Sequence, residues 1–125
     1  MILDTNALSA FVDGEPGIGS ILRLQARVAI PVIVLGEFRY GIAGSKHHKK
    51  YEHWLDTFLG DFDLLSITPE TALPYASLRL HLRRAGRPIP TNDTWIAALA
   101  VQYRLPVLSR DNHFGDLPRV RRVDW

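Results

Sequence analysis

The sequence predicts an α/β fold, a three-layer α/β/α sandwich around a mainly parallel central sheet. Three observations predict it. Short apolar runs suited to buried strands recur at residues 1–3, 28–30, 62–67 and 106–109. Stretches with helical periodicity separate them, and alternation of this kind is the pattern of a parallel sheet covered by helices. No internal repeat or linker interrupts it, so residues 1–125 are expected to form one domain.

Met1-Ile2-Leu3 reads as a buried strand ending at Asp4, and residues 6–12 continue as a helix that stops at Asp13-Gly14-Glu15-Pro16-Gly17. Over residues 18–27, Ile18, Ile21, Leu22 and Leu24 alternate with Arg23, Gln25 and Arg27, which predicts a second, amphipathic helix. Val28-Ala29-Ile30 is the second strand. Pro31 suits the first turn of a third helix reaching Ala43, and Gly44-Ser45 ends it. Trp54, Leu55, Phe58 and Leu59 share one face of a helix over residues 51–59, and a third strand follows at 62–67. Thr68-Pro69-Glu70 opens a long helix that Gly86-Arg87-Pro88 stops. Thr91 or Asn92 caps a helix running to Tyr103, a fourth strand covers 106–109, and residues 120–123 suit a short edge strand.

The chain has 125 residues and 46% hydrophobic composition, enough for a real core. It has no cysteine, which excludes disulfides and thiolate zinc sites, and a cytoplasmic setting is the simplest expectation. No apolar run approaches the roughly 18 residues of a membrane span, and an acid at position 4 interrupts any signal-like core, so neither membrane insertion nor secretion is expected.

Four carboxylates stand where an acid is hardest to explain structurally. Asp4 follows the first strand, Glu37 interrupts a largely apolar helix, Asp93 precedes Trp95-Ile96-Ala97-Ala98-Leu99, and Asp111 follows the fourth strand. Ligand sites in open α/β sheets lie beyond the carboxyl ends of the strands, where Asp4 and Asp111 both fall. Glu37 shares a helical face with Ile33, Val34, Tyr40 and Gly41, a face expected to pack inward. Buried acids that converge need basic partners or a divalent cation. Oxygen donors without cysteine or clustered histidine select magnesium or manganese. Each acid also has a purely structural reading: Asp4 and Asp93 as helix caps, Asp111 as a turn residue, Glu37 in an ion pair with Arg39 or a basic residue elsewhere. If four of the 13 acids share a site, nine remain against 15 Lys and Arg, leaving a basic surface suited to a polyanion, or simply a solvated one.

The residues that carry these acids resemble the motifs of the PIN-domain nucleases, most closely the VapC-type toxins of toxin-antitoxin pairs. The motifs are Leu3-Asp4-Thr5-Asn6, Gly36-Glu37-Phe38-Arg39-Tyr40-Gly41, Asn92-Asp93-Thr94-Trp95-Ile96-Ala97-Ala98, and Leu108-Ser109-Arg110-Asp111-Asn112-His113-Phe114. The resemblance spans essentially the whole chain. It implies a PIN-like fold and a magnesium- or manganese-dependent endoribonuclease toxin that hydrolyses RNA phosphodiester bonds with a metal-activated water. It further implies a homodimer and a cognate antitoxin. Asp4, Glu37, Asp93 and Asp111 match the family's catalytic metal-site acids, and Thr5, Asn6 and Ser109 its supporting polar residues. Two departures stand out: only three residues precede Asp4, and Ser109 stands where threonine is more usual.

Other readings are a non-catalytic PIN-like binding module and a PIN nuclease of RNA processing. A phosphoacceptor receiver would need adjacent acids after the first strand, and a haloacid-dehalogenase phosphatase an aspartate where Asn6 stands. Arg83, Arg84 and Arg87 are candidate RNA contacts, whereas Lys46-His47-His48-Lys49-Lys50 reads better as solvated charge. The five histidines show no zinc-motif spacing and read as surface or core residues, with His113 beside the proposed site.

Overall fold

The computed structural model describes residues 1–125. Five strands form one sheet, β1 (Ile2–Leu3), β2 (Ala29–Pro31), β3 (Asp63–Leu65), β4 (Val107–Leu108) and β5 (Arg122–Val123), in the order β3-β2-β1-β4-β5 with every pair parallel. Six helices accompany it: α1 (Thr5–Val12), α2 (Ile18–Arg23), α3 (Val32–Ala43), α4 (His48–Phe58), α5 (Pro69–Arg84) and α6 (Thr91–Tyr103). This is the expected α/β/α arrangement. The register pairs Ile2 with both Ala29 and Val107, so β1 is central and fully enclosed.

The strands are shorter than the apolar runs that announce them. Residues 62–67 contribute only Asp63–Leu65, because Leu64 and Ile67 are left exposed and the ladder to β2 spans three residues. Pro31 closes β2 opposite Leu65 instead of opening the third helix; its extended φ of −59° and ψ of 142° suit a strand end. α2 stops at Arg23, short of Arg27, since Leu24 points to solvent with 84% exposure. α4 begins at His48, which absorbs part of the basic stretch into a helix. Pro90, with neither Thr91 nor Asn92 capping, precedes α6.

Phe11, Trp54, Phe58 and Phe62 pack edge-on or tilted at centroid separations of 5.4–6.2 Å, fastening α4 onto α1. α6 is held to α5 by a polar clasp in an otherwise apolar contact. The fully buried Thr71 hydroxyl donates to Gln102 Oε1 at 2.6 Å, and Gln102 Nε2 donates to Thr68 Oγ1 at 3.2 Å. A satisfied buried network of this kind fixes one relative position of two helices. It thereby fixes the helix that carries Asp93.

Candidate active site

All four sequence-predicted acids line one pocket of about 490 Å³ at the carboxyl edge of the sheet. The strand order reverses between β1 and β4, the point where open α/β sheets bind ligands. β1 delivers Asp4, β4 delivers Ser109 and Asp111 through a three-residue extension, and α3 and α6 both start at this edge, bringing Glu37 and Asp93.

Asp4 satisfies its structural reading and still belongs to the pocket. Its Oδ1 accepts from the Ala7 N–H at 2.7 Å as the cap of α1, and its Oδ2 accepts from the buried Ser109 hydroxyl. Ser109 Oγ in turn accepts from the Asp111 N–H at 2.9 Å, so one hydroxyl ties together two acids 107 positions apart in the chain. Asp111 behaves likewise: its Oδ1 accepts from the His113 N–H at 2.9 Å, capping a short 3₁₀ turn. The neighbouring Arg110 stacks 4.2 Å over the Trp125 ring and pairs with Glu15, pinning this loop to the α1–α2 connection.

Burial, opposed by the Ser109 and Ala7 hydrogen bonds and reinforced by the charges of Asp93 and Asp111, raises the Asp4 carboxyl above its ordinary pKa. Burial also raises Asp93, against the pull of His113. His113 is the residue that sequence reasoning missed. Its Nδ1 lies 2.6 Å from Asp93 Oδ2 and 3.1 Å from Asp111 Oδ2. Both partners are acceptors, so Nδ1 carries the proton and the ring holds the two acids together. The only signal was proximity to Asp111, because the Asp93 contact joins positions 20 apart.

Glu37 is half-buried, one residue off the buried line Val34-Phe38-Ile42, and Tyr40 on its predicted inward face is 86% exposed. The proposed ion pair with Arg39 does not form, since Arg39 pairs with Glu52 at 2.6 Å. Glu37 Oε1 and Thr5 Oγ1 are instead buried oxygens with no hydrogen-bond partner. Asn6 lines the pocket from an exposed position. Of the candidate RNA contacts, Arg83 borders a neighbouring cleft, Arg87 pairs with Asp116 at 3.7 Å, and Arg84 is exposed and lines neither cleft.

The donor set fits a hard divalent cation. Its acids offer oxygen, no Lys or Arg lines the pocket, and two buried oxygens lack partners that a cation or its water shell satisfies. The carboxylates of Asp93 and Asp111, held by the His113 ring, lie within 4.8 Å of one another. Ser109→Ala removes the hydroxyl that supports both Asp4 and Asp111. Metal affinity by calorimetry is expected to fall by about 10–100-fold. Thermal unfolding should show a loss of about 1–3 kcal/mol for the stranded partners.

The PIN domain family model matches residues 1–120. Ribonuclease VapC5 of Mycobacterium tuberculosis is 31% identical over 125 residues, covering 98% of this chain and 91% of its own. Among solved structures, VapBC2 from Rickettsia felis, bound to a DNA fragment from its promoter, superposes with a TM-score of 0.90 at 27% identity, covering 99% of this chain and 97% of that one. DNA-bound VapBC from Salmonella typhimurium superposes with a TM-score of 0.88 at 27% identity, covering 99% and 96%.

Proposed function

Because the chain belongs to the PIN domain family and its curated relatives include VapC ribonucleases, we propose that it is a metal-dependent endoribonuclease, the toxin of a toxin-antitoxin pair. The observation that carries this reading is the convergence of Asp4, Glu37, Asp93 and Asp111 in a pocket without Lys or Arg. These four acids would hold magnesium or manganese. When bound, such an ion supplies positive charge to the scissile phosphate and lowers the pKa of the attacking water.

The chain's own groups do the rest. Ser109 orients Asp4 and fixes the Asp111 backbone, while the His113 Nδ1–H holds Asp93 and Asp111 at a set separation. The exposed Asn6 amide is a polar group at the pocket wall available to the phosphate or its water, and Thr5 lines the same wall with its hydroxyl buried. Attack by water and not by the ribose 2′-hydroxyl leaves 5′-phosphate and 3′-hydroxyl ends. Incubating the purified protein with cellular RNA and magnesium, manganese or EDTA, followed by end-group analysis, tests this. Metal-dependent cuts with 5′-phosphates are expected, and 2′,3′-cyclic phosphates would overturn it.

The partners proposed are a cognate antitoxin and a second copy of the chain. A groove of about 310 Å³ between α1, α3 and α4 shares Thr5 and Glu37 with the acidic pocket. It suits an amphipathic antitoxin segment with an arginine reaching the acids, a charge-assisted pairing that neutralises the cluster. No helix here is long and apolar enough to cross a membrane. The cytoplasm, where a nuclease meets cellular RNA, is the proposed location.

A further inference from the structure

Beyond Thr91 the acidic pocket gives way to a second cleft of opposite chemistry. Thr91 borders both. The second cleft, about 610 Å³, lies between the exposed face of α5 and the loop leading into α6. No acid lines it. Arg79 and Arg83 do, one helical turn apart, and neither enters an ion pair. Arg79 is oriented by its Nη1 donating to the Tyr75 hydroxyl at 2.6 Å, and Tyr75 is itself stacked on Trp95 at 3.7 Å. Leu82 and the half-buried Ile89 give the cleft an apolar wall.

We propose that this cleft is the subsite for the nucleotide next to the scissile phosphate in single-stranded RNA. Arg79 and Arg83 take the flanking phosphate, and the Leu82–Ile89 wall takes the unstacked base. The inference rests on the ribonuclease reading above. Two observations select RNA as the occupant. A strand whose scissile phosphate sits among the acids must carry its next phosphate out of that negative field, and past Thr91 it meets two unpaired guanidinium groups. The chemistry of the cleft also matches what single strands need, cationic groups for the backbone and an apolar surface for a splayed base. The alternative basic cluster, Arg104, Arg119 and Arg121, borders Pro106 at the amino end of β4, the opposite edge of the sheet from the acids.

Binding reads the subsite independently of cleavage. Anisotropy of a labelled single-stranded oligoribonucleotide is measured against full-length Asp93→Asn and the same chain carrying Arg79→Ala and Arg83→Ala. The dissociation constant is expected to rise about tenfold or more, and the slope of log affinity on log salt to shrink by about 0.7, the share of one neutralised phosphate in a single strand. Unchanged affinity and slope would overturn the subsite even if the wild type cuts RNA. Loss of both, with a wild type that cuts nothing, would keep the cleft as a single-stranded RNA site while the ribonuclease reading, and with it the place beside a scissile phosphate, falls. If light scattering shows that the substitutions break a dimer, and RNA affinity drops only in step with that, the cleft is a protein contact and the proposal is wrong.

Discussion

Asp93→Asn is expected to abolish RNA cleavage while leaving the metal-free protein as stable as the wild type or more so. The two effects have one cause. Burial disfavours the charged form of this carboxylate, as its raised pKa records, so a neutral amide of the same shape relieves a cost in the folded state. The substituted amide can still present an oxygen to the His113 Nδ1–H, so the contact between α6 and the 3₁₀ turn survives. Losing a group that merely orients a metal ligand costs about 10–100-fold, and losing the ligand itself should cost more than about 100-fold in turnover. Thermal unfolding in EDTA, run beside the cleavage assay, separates the possibilities. A large fall in melting temperature would make Asp93 a structural residue, and wild-type turnover at saturating magnesium would remove it from the site.

How far the site was legible depends on whether each residue's role is local. Asp4 and Asp111 declared themselves because each follows an apolar strand, and parallel topology places all such ends on one edge. The structural roles of these two acids are compatible with a place in the pocket. Asp4 caps α1 and Asp111 caps its turn, and the same extended backbone that makes them caps aims them into the pocket. Strand limits were less legible, because hydropathy marks apolar residues whether or not they are buried, whereas a strand ends where its partner's ladder ends, as at Leu65. His113 was hidden for a different reason. A histidine gains its meaning from what the fold brings to it, and the Asp93 carboxylate arrives from another helix. Arg79 carries no sequence signal for the same reason, since the cleft beside it is formed by α5, the α5–α6 loop and the start of α6 together. Glu37 was found by helical periodicity, but periodicity overstated its burial: Tyr40, meant to share its inward face, lies in solvent.

Magnesium should stabilise this protein at neutral pH and progressively fail to do so as the pH falls, from a pH above the ordinary carboxylate range. Asp4 and Asp93 both have raised pKa values in the fold. Between the unfolded and the folded pKa of each, the folded chain binds more protons than the unfolded one. The metal-free protein therefore loses stability as pH rises through that window and regains it as pH falls. A divalent ion reverses the trend, because it binds only the deprotonated carboxylates and has no comparable site in the unfolded chain. At a free concentration about 100 times the dissociation constant it adds about 2.7 kcal/mol. Below both raised pKa values two protons must leave for one ion to enter, so affinity should drop by up to about 100-fold per pH unit. Differential scanning calorimetry with and without magnesium across pH 4 to 8 measures this directly. The two melting curves should converge at the acid end and separate towards neutrality, with the metal-free curve falling as the other rises. Curves that keep a constant separation would mean that the ion binds away from Asp4 and Asp93. Asp93→Asn supplies the internal control: with one of the two titrating ligands gone, its metal-free melting temperature should vary less with pH, and magnesium should separate the curves little at any pH.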